Sequence, residues 1–544
     1  MRDAVWDCGL LALVSAIGSM LSLPRLGFYT DDWGFFRSFE FSVKRSFLGV
    51  YSTFNAESGA AARPIQGLYD LFLYRVFGLH PLGYHLTDTL VIFLALCFFY
   101  LAFRYLFESR AVALAVALVY GLMPQYSSVR LWYASDTIAL SMLFYFLAIY
   151  SDTRYLQSPR GGRWAIAGGL CLILAGLTYE AFLPLFLVNA VLIGLKQIHL
   201  RSRGVKFTRS RLAWWLFYLR NPPLIALILW YKFLVSRRAH LPGFSFRNIV
   251  PAAMDLTFGA YGVRLPHVLA TIWHRYWDTP RFIVALAIVA IVAFYLARFA
   301  AAAPPLPFRP VPFFAALLCV GFLLTGLAYV YFWGGFGFGF GVNTGINNRV
   351  ATGASVFAAF SIVGFAGLLS WAASRSRRAA VLFAVLVGLY CGCACFIDQT
   401  IAEFWIAASQ RQPVIVREIQ QAIPAPPHGA SILLHGYCPY IGPGIVFEID
   451  WDTTGALDFA YHDGSILGDV LTPRLKITDT AVVDEPESVA YPYTSLYFYD
   501  VGKKQAVRVP DAATALRLQK ESAQDPRNAC IVDEKLSGFG TPIW

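Results

Sequence analysis

Two adjacent carboxylates, Asp31 and Asp32, follow the first hydrophobic segment of the chain, inside an aromatic stretch at 28–36. A charged pair where a chain leaves a bilayer is a candidate for chemistry at the membrane surface. A carboxylate there can take the proton of an acceptor hydroxyl. Alternatively, the two residues could simply cap a helix or lie in a surface turn. The aromatic residues around them favour a functional role instead.

The composition indicates a membrane protein. Of the 544 residues, 57% are hydrophobic and 14% are charged, against roughly 25% charged residues in an ordinary soluble protein. The first apolar segment, 5–23, lacks a small-residue cleavage site before the Asp pair, so we predict a retained helix rather than a signal peptide.

Charge divides the chain into two parts. Residues 398–544 carry 19 acidic and 11 basic residues, whereas residues 1–397 carry 14 acidic and 33 basic ones. A basic apolar part followed by an acidic tail predicts a transmembrane domain over 1–397 and a separate soluble domain over 398–544, and does not suggest nucleic-acid binding.

Apolar runs of sufficient length predict about eleven membrane spans. They lie near 4–23, 86–103, 111–125, 136–150, 164–178, 181–195, 222–236, 281–298, 312–332, 350–372 and 379–397.

The short basic loops all fall on one side if the N-terminus is inside, as the positive-inside rule requires. The strongest is 196–221, with seven Lys or Arg residues and no acidic residue. The opposite, outer face then receives loops 24–85 and 237–280, the Gly-rich loop 333–349 and the acidic tail. We expect a cell inner membrane protein with a cytoplasmic N-terminus and an extracytoplasmic C-terminal domain.

The apolar run 164–195 is too long for one span, at about 48 Å as a helix against a hydrocarbon core of about 30 Å. Both of its flanks are basic. We therefore predict a hairpin of two short helices whose outer turn contains Glu180, with Pro184 just beyond.

The tail has short β-like runs at 431–435, 481–483, 495–499 and 506–509 and a helix-like run at 512–522. This predicts a small α/β or α+β domain. The nine cysteines form no metal pattern. In an oxidising compartment, Cys438 and Cys530 could form a disulfide or stay as free thiols, and the sequence leaves both open.

Four further residues are candidates for binding substrate, and three of them have a simpler alternative. Arg349 and Arg63 could hold an anionic phosphate, although Arg349 could also be an interfacial cation. His85 could be a packed helix-entry histidine, and Glu180 could satisfy backbone groups at its turn. Asp136 is most simply the N-terminal cap of its helix.

These residues occur in short motifs that resemble the GT-C glycosyltransferases, a group that includes the protein O-mannosyltransferases and the lipid A aminoarabinose transferase. The resemblance covers most of the membrane part and leaves out the tail. The motifs are Asp31-Asp32-Trp33, Ala62-Arg63-Pro64, the segment 78–86 with His85, Tyr179-Glu180 and Asn347-Asn348-Arg349.

The resemblance implies a transferase that moves a sugar from a polyprenyl-phosphate donor to a hydroxyl of a glycan, lipid or protein, with inversion. The group's first acidic residue is usually the base, which favours Asp31, with Asp32 positioning it or holding a divalent ion such as Mg²⁺ or Mn²⁺. No cofactor is certain. An outward-facing enzyme cannot use cytoplasmic sugar nucleotides, and this independently favours a lipid-linked donor.

Two other classes remain. A transporter or flippase for lipid-linked sugars would place ionisable groups near the bilayer midplane, whereas the notable charges here lie at one face. A glycan polymerase or ligase would use a lipid-linked donor and outer arginines but would not need the Asp pair.

Overall fold

The computed structural model describes residues 2–57, 60–158, 161–207, 210–235, 249–300, 310–333, 345–374, 377–485, 488–528 and 530. Within these ranges, the secondary structure of the membrane part consists of helices joined by loops and turns. Its helices are α1 Arg2–Ser19, α2 Asp31–Glu40, α3 Phe47–Glu57, α4 Pro64–Phe77, α5 Pro81–Phe107, α6 Arg110–Gly121, α7 Ser128–Leu131, α8 Asp136–Gln157, α9 Gly162–Thr178, α10 Leu185–Ser202, α11 Arg211–Tyr218, α12 Asn221–Val235, α13 Ile249–Met254, α14 Leu265–Arg275, α15 Thr279–Tyr295, α16 Pro310–Trp333, α17 Thr352–Ala373 and α18 Arg377–Ala422.

The protein is a multi-pass membrane protein, and each predicted span coincides with a helix. Within the described ranges, seven helical stretches are long and apolar enough to cross a bilayer, and α6 and α9 are shorter apolar helices. The count of eleven spans stays a prediction. The seven stretches are Pro81–Phe107, Tyr133–Gln157, Arg211–Val235, Thr279–Arg298, Pro310–Tyr329, Ile346–Ala373 and Arg378–Ala422.

The predicted hairpin at 164–195 is confirmed. Helix α9 ends at Thr178, a short 3-10 turn follows at Glu180–Phe182, and α10 begins at Leu185. Pro184 stands just before α10, where a residue that lacks a backbone N–H costs no helical hydrogen bond.

The tail is an α/β unit, within the predicted class. Its elements are β1 Ser431–His435, β2 Tyr440–Ile441, β3 Gly444–Ile445, α19 Asp450–Tyr461, β4 Leu467–Val470, β5 Lys476–Ile477, β6 Ala481–Asp484, β7 Val489–Pro492, β8 Leu496–Asp500, β9 Gln505–Arg508 and α20 Ala512–Gln524. The main sheet has the order β4-β1-β8-β9, in which β1 runs parallel to both neighbours and β9 is antiparallel. A three-stranded antiparallel sheet, β5-β6-β7, and the small hairpin β2–β3 complete it.

One helix connects the tail with the membrane part, and a disulfide lies within the tail. Helix α18 passes through residue 398 without a break, so the predicted domain boundary falls inside one helix. Cys438 and Cys530 form a disulfide with their Cα atoms 5.6 Å apart, which decides between the two alternatives left open by the sequence.

A hydrophobic core runs through α1, α5, α6, α8, α17 and α18. A second core joins α2 and α4 to the C-terminal half of α18 and to the tail, through buried residues such as Phe36, Trp405, Phe447 and Ala456. The Asp pair starts α2, so the tail packs directly against the element that presents it.

Candidate functional site

The Asp pair begins at an unusual backbone turn. Thr30 has φ 36° and ψ −112°, a positive φ that a β-branched residue rarely adopts. Asp31 then opens α2, with Asp32 as its second residue. Strain of this kind persists where the surroundings hold it in place, and it is concentrated at functional sites.

Asp32 holds the turn from inside. Its side chain is fully buried, at 0% exposure, and its two oxygens accept backbone N–H groups from different segments. Tyr29 N donates to Oδ2 at 2.8 Å and Ala134 N donates to Oδ1 at 2.8 Å. Burial raises the pKa of Asp32 well above its usual range, against the effect of these two donors. Asp32 therefore fastens the turn to the loop before α8.

Asp31 is half-buried, and no described residue forms a hydrogen bond or ion pair with its carboxylate. Burial raises its pKa, while the guanidinium groups of Arg349 and Arg63 act to lower it. The group is thus an available carboxylate near two cations, with a raised pKa, which suits a general base.

Arg349 is oriented but available. Its guanidinium stacks over the Trp132 ring at 5.0 Å, and Nη1 donates to Ile346 O at 2.9 Å. No described residue forms an ion pair with it. Its neighbour Asn348 anchors the segment, accepting from Ser128 N at 3.1 Å and donating to Ser127 Oγ at 2.9 Å. A planar guanidinium held in this way can receive an anion's oxygens.

Arg63 approaches Asp31 as part of an ion-pair network. It pairs with Glu180 and stacks over Tyr179 at 4.0 Å. Lys232 Nζ donates to Glu180 Oε2 at 3.0 Å and to Ala62 O at 3.0 Å. Burial acts to raise the pKa of Glu180, but the charges of Arg63 and Lys232 outweigh it and hold that pKa below its usual range. Glu180 orients Arg63 in this way, rather than satisfying backbone groups at its turn.

His85 is buried in α5, and its Nε2 lies 3.1 Å from Gly27 O. Gly27 is in the extended segment that leads to Thr30. His85 therefore supports the chain before the Asp pair, which agrees with the alternative of a packed helix-entry histidine.

The tail contributes a residue that sequence reasoning missed. Glu448 lies just before α19, and its Oε1 accepts from Thr30 Oγ1 at 3.1 Å. Burial raises its pKa, hydrogen bonds from Tyr440 and Thr30 lower it, and the nearby Asp31 raises it. No local motif marks Glu448, because the partner that connects it to the Asp pair, Thr30, lies 418 positions away in the chain. Trp132 and Lys232 were also missed, although Trp132 stands in an aromatic segment just before α8.

The expected cap at Asp136 is wrong. Ser135 is the cap residue of α8, Asp136 is its first helical residue, and both oxygens of Asp136 are buried without a hydrogen-bond partner among the described residues. The helix starts one residue earlier than a cap at Asp136 requires, because the 3-10 turn Tyr133–Ser135 leads straight into it.

The buried Asp70, close to Asp32, makes the stability of the folded protein depend on pH. Burial raises its pKa from 3.8 to about 8, although Tyr133 and Gln66 donate hydrogen bonds to it. Between these pH values the folded protein keeps a proton on Asp70 that the unfolded chain releases. The stabilisation that this difference in proton binding gives the folded state is complete below pH 3.8 and is lost as the pH rises toward about 8. Asp70→Asn should raise the melting temperature above that of the wild type by a few degrees near pH 8.5 and by less near pH 5. Thermal unfolding at both pH values tests this. The control is Asp479→Asn, which changes an exposed carboxylate. If the melting temperatures of Asp70→Asn and the wild type differ by the same amount at both pH values, the prediction for Asp70 is contradicted.

The donor atoms around the pair suit an anion better than a divalent cation. Both oxygens of Asp32 are engaged by backbone N–H groups, and the charges of two guanidinium groups act on Asp31. Within the described ranges, no group of three or more His, Cys, Asp or Glu side chains is arranged to hold a metal ion. The expected divalent ion stays a prediction.

The loops predicted at 237–280 and 333–349 are described in part. Residues 334–344 of the Gly-rich loop lie outside the described residues, as do Arg237, Arg238 and Arg247. In the remainder of loop 237–280 and at its exit, Arg264 pairs with Asp255 and Arg281 pairs with Asp278.

No family model and no curated protein matches the chain. Among solved structures, the Archaeoglobus fulgidus oligosaccharyltransferase, tethered with an acceptor peptide containing the NVT sequon, overlaps 84% of the chain at 12% identity and a TM-score of 0.37. The chain spans 63% of the length of that protein.

Two structures of ArnT from Cupriavidus metallidurans are also similar to the chain. The overlap with the apo form covers 85% of each chain, at 13% identity and a TM-score of 0.37. The overlap with the form bound to undecaprenyl phosphate covers 84% of this chain and 85% of the other, at 13% identity and a TM-score of 0.35. These neighbours are of the GT-C group that the sequence motifs resemble.

Proposed function

We propose that the protein is an integral-membrane glycosyltransferase that moves a sugar from a polyprenyl-phosphate donor to an acceptor hydroxyl. The observation that carries this proposal is the available carboxylate of Asp31, which feels the charges of Arg63 and Arg349, on a turn fastened by Asp32. A base beside two cations matches a reaction in which a hydroxyl loses a proton while a phosphate leaves.

Asp31 takes the proton of the acceptor hydroxyl as its oxygen attacks the anomeric carbon of the sugar. The bond from that carbon to the phosphate oxygen breaks, and the electron pair leaves with the lipid phosphate. Attack opposite to the leaving group inverts the anomeric centre. The guanidinium groups of Arg349 and Arg63 stabilise the charge that grows on the phosphate. Glu180 and Lys232 position Arg63, and His85 supports the approach to the turn.

The charge distribution supports an extracytoplasmic site in the inner membrane, with the N-terminus in the cytoplasm and the tail outside. A lipid-linked donor is the form of activated sugar available on that face. The acceptor is a glycan, lipid or protein hydroxyl. A transporter or flippase is the weaker candidate, because the site joins a free carboxylate to an anion-binding pair rather than lining a path at the midplane.

Arg349→Gln is the experiment for the donor site. The variant should lower the rate of sugar transfer from a polyprenyl-phosphate donor about 100-fold, which is typical for loss of one charge-stabilising donor. Arg349→Lys should recover part of the rate, because it keeps the charge without the planar fork. The rate is measured by following labelled sugar from lipid to acceptor in purified protein.

The control for this experiment is Arg517→Gln, which removes an exposed guanidinium paired with Glu521 on the far tail helix. It should transfer at the wild-type rate. Wild-type transfer by Arg349→Gln would contradict the donor site. A wild-type protein that binds and translocates the donor without cleaving it would favour the transporter.

A further inference from the structure

The strained residue before the base is held by the tail. Thr30 Oγ1 donates to Glu448 Oε1 at 3.1 Å, across 418 positions of the chain. Because Thr30 directly precedes Asp31, its backbone angles set the direction in which the Asp31 carboxylate points. A residue at a positive φ keeps that conformation when side-chain contacts restrain it.

Glu448 is itself held in place. Tyr440 OH, on the β2–β3 hairpin, donates to Glu448 Oε2 at 2.8 Å. The backbone N–H of Glu448 donates to Asp452 Oδ2 at 2.9 Å, and Ile449 N donates to Asp452 Oδ1 at 3.2 Å. With one oxygen on Thr30 and the other on Tyr440, the carboxylate is oriented toward the turn.

The tail is locked onto the helix that carries the pair. Trp451 covers Gly34 so closely that a Cβ there would lie 1.9 Å from its ring. Trp33 Nε1 donates to Gln412 Oε1 at 3.2 Å, and Arg37 pairs with the buried Asp458. These contacts keep Glu448 at a constant position relative to Thr30.

We infer that the C-terminal domain is part of the active site, and that Glu448 is a positioning residue which orients the base Asp31 through Thr30. The inference rests on the proposed function. Both oxygens of Glu448 already accept hydrogen bonds, so it acts through Thr30 rather than on the substrate. The tail thus supplies one wall of the site and fixes the geometry of its base.

The test compares Glu448→Ala, Thr30→Val and the double variant in the full-length protein. Each single variant should lower kcat for sugar transfer about 10- to 100-fold, the effect of one hydrogen bond to a charged group, with a smaller change in KM. Because both residues act on one contact, the double variant should be no slower than the slower single variant, within about twofold. Glu448→Gln keeps an acceptor oxygen for Thr30 and should restore most of the rate.

Hydrogen–deuterium exchange gives a readout that does not need activity. Amides of residues 28–33 should exchange faster in Glu448→Ala and Thr30→Val than in the wild type. The control is Glu485→Ala, which removes an exposed tail carboxylate paired with Lys476 and should leave both exchange and transfer unchanged.

Unchanged exchange at 28–33 in Glu448→Ala would overturn the positioning role, as would losses of rate that multiply in the double variant. A Glu448→Gln variant as slow as Glu448→Ala would also overturn it, because the charge rather than the contact would then matter. If the wild type transfers no sugar while exchange responds as expected, the proposed function fails and the contact between the tail and the Asp31 turn stands.

Discussion

Asp31→Asn is expected to abolish sugar transfer, lowering kcat by about 1,000-fold or more. General-base catalysis alone contributes roughly 10²–10⁴-fold, and the amide cannot accept the hydroxyl proton. The protein should fold as well as the wild type, since burial already disfavours the charge of Asp31. Labelled-donor kinetics and thermal unfolding in the same detergent measure the two effects.

The pH dependence of kcat also tests whether Asp31 is the base. The pKa of Asp31 is raised by burial, so the base is ionised in a larger fraction of molecules as the pH increases, and wild-type kcat should rise with pH through that raised pKa. Asp479→Asn, an exposed tail substitution, should follow the wild-type profile. Full transfer activity in Asp31→Asn would show that another group is the base.

Asp32→Asn is expected to damage structure and activity together. An asparagine keeps one acceptor oxygen, so either Tyr29 N or Ala134 N loses its partner in a fully buried site. One unpaired buried group costs about 1–3 kcal/mol, which corresponds to several degrees in the melting temperature. Transfer should fall because the turn that carries Asp31 is no longer fastened to the loop before α8.

The neighbouring Asp31→Asn is the matched control, because it changes the same chemical group one residue away. The two variants should separate: Asp31→Asn loses transfer at unchanged melting temperature, whereas Asp32→Asn loses both. If Asp32→Asn keeps the wild-type melting temperature and loses only transfer, then Asp32 acts in the chemistry and its role in fastening the turn is secondary.

The sequence by itself determined the parts of the fold that depend on local composition. The hairpin around Glu180 follows from the length of one apolar run, since a single helix of that length exceeds the bilayer core. Strand β1 and helix α20 were placed from hydrophobic pattern alone. The Asp pair was found because charge is rare where a chain leaves the membrane.

The roles of the site residues depended on tertiary structure. Asp32 meets Ala134 across 102 positions and Thr30 meets Glu448 across 418, and no local pattern carries such distant pairings. Arg63, Glu180 and Lys232 looked like unrelated charges on separate segments until helix packing joined them in one network. Membrane spans can be predicted from sequence because the free energy of transferring a segment into lipid depends only on the side chains of that segment. The roles of neighbouring charges follow from which partner each meets, and helix packing and the docking of the tail decide that.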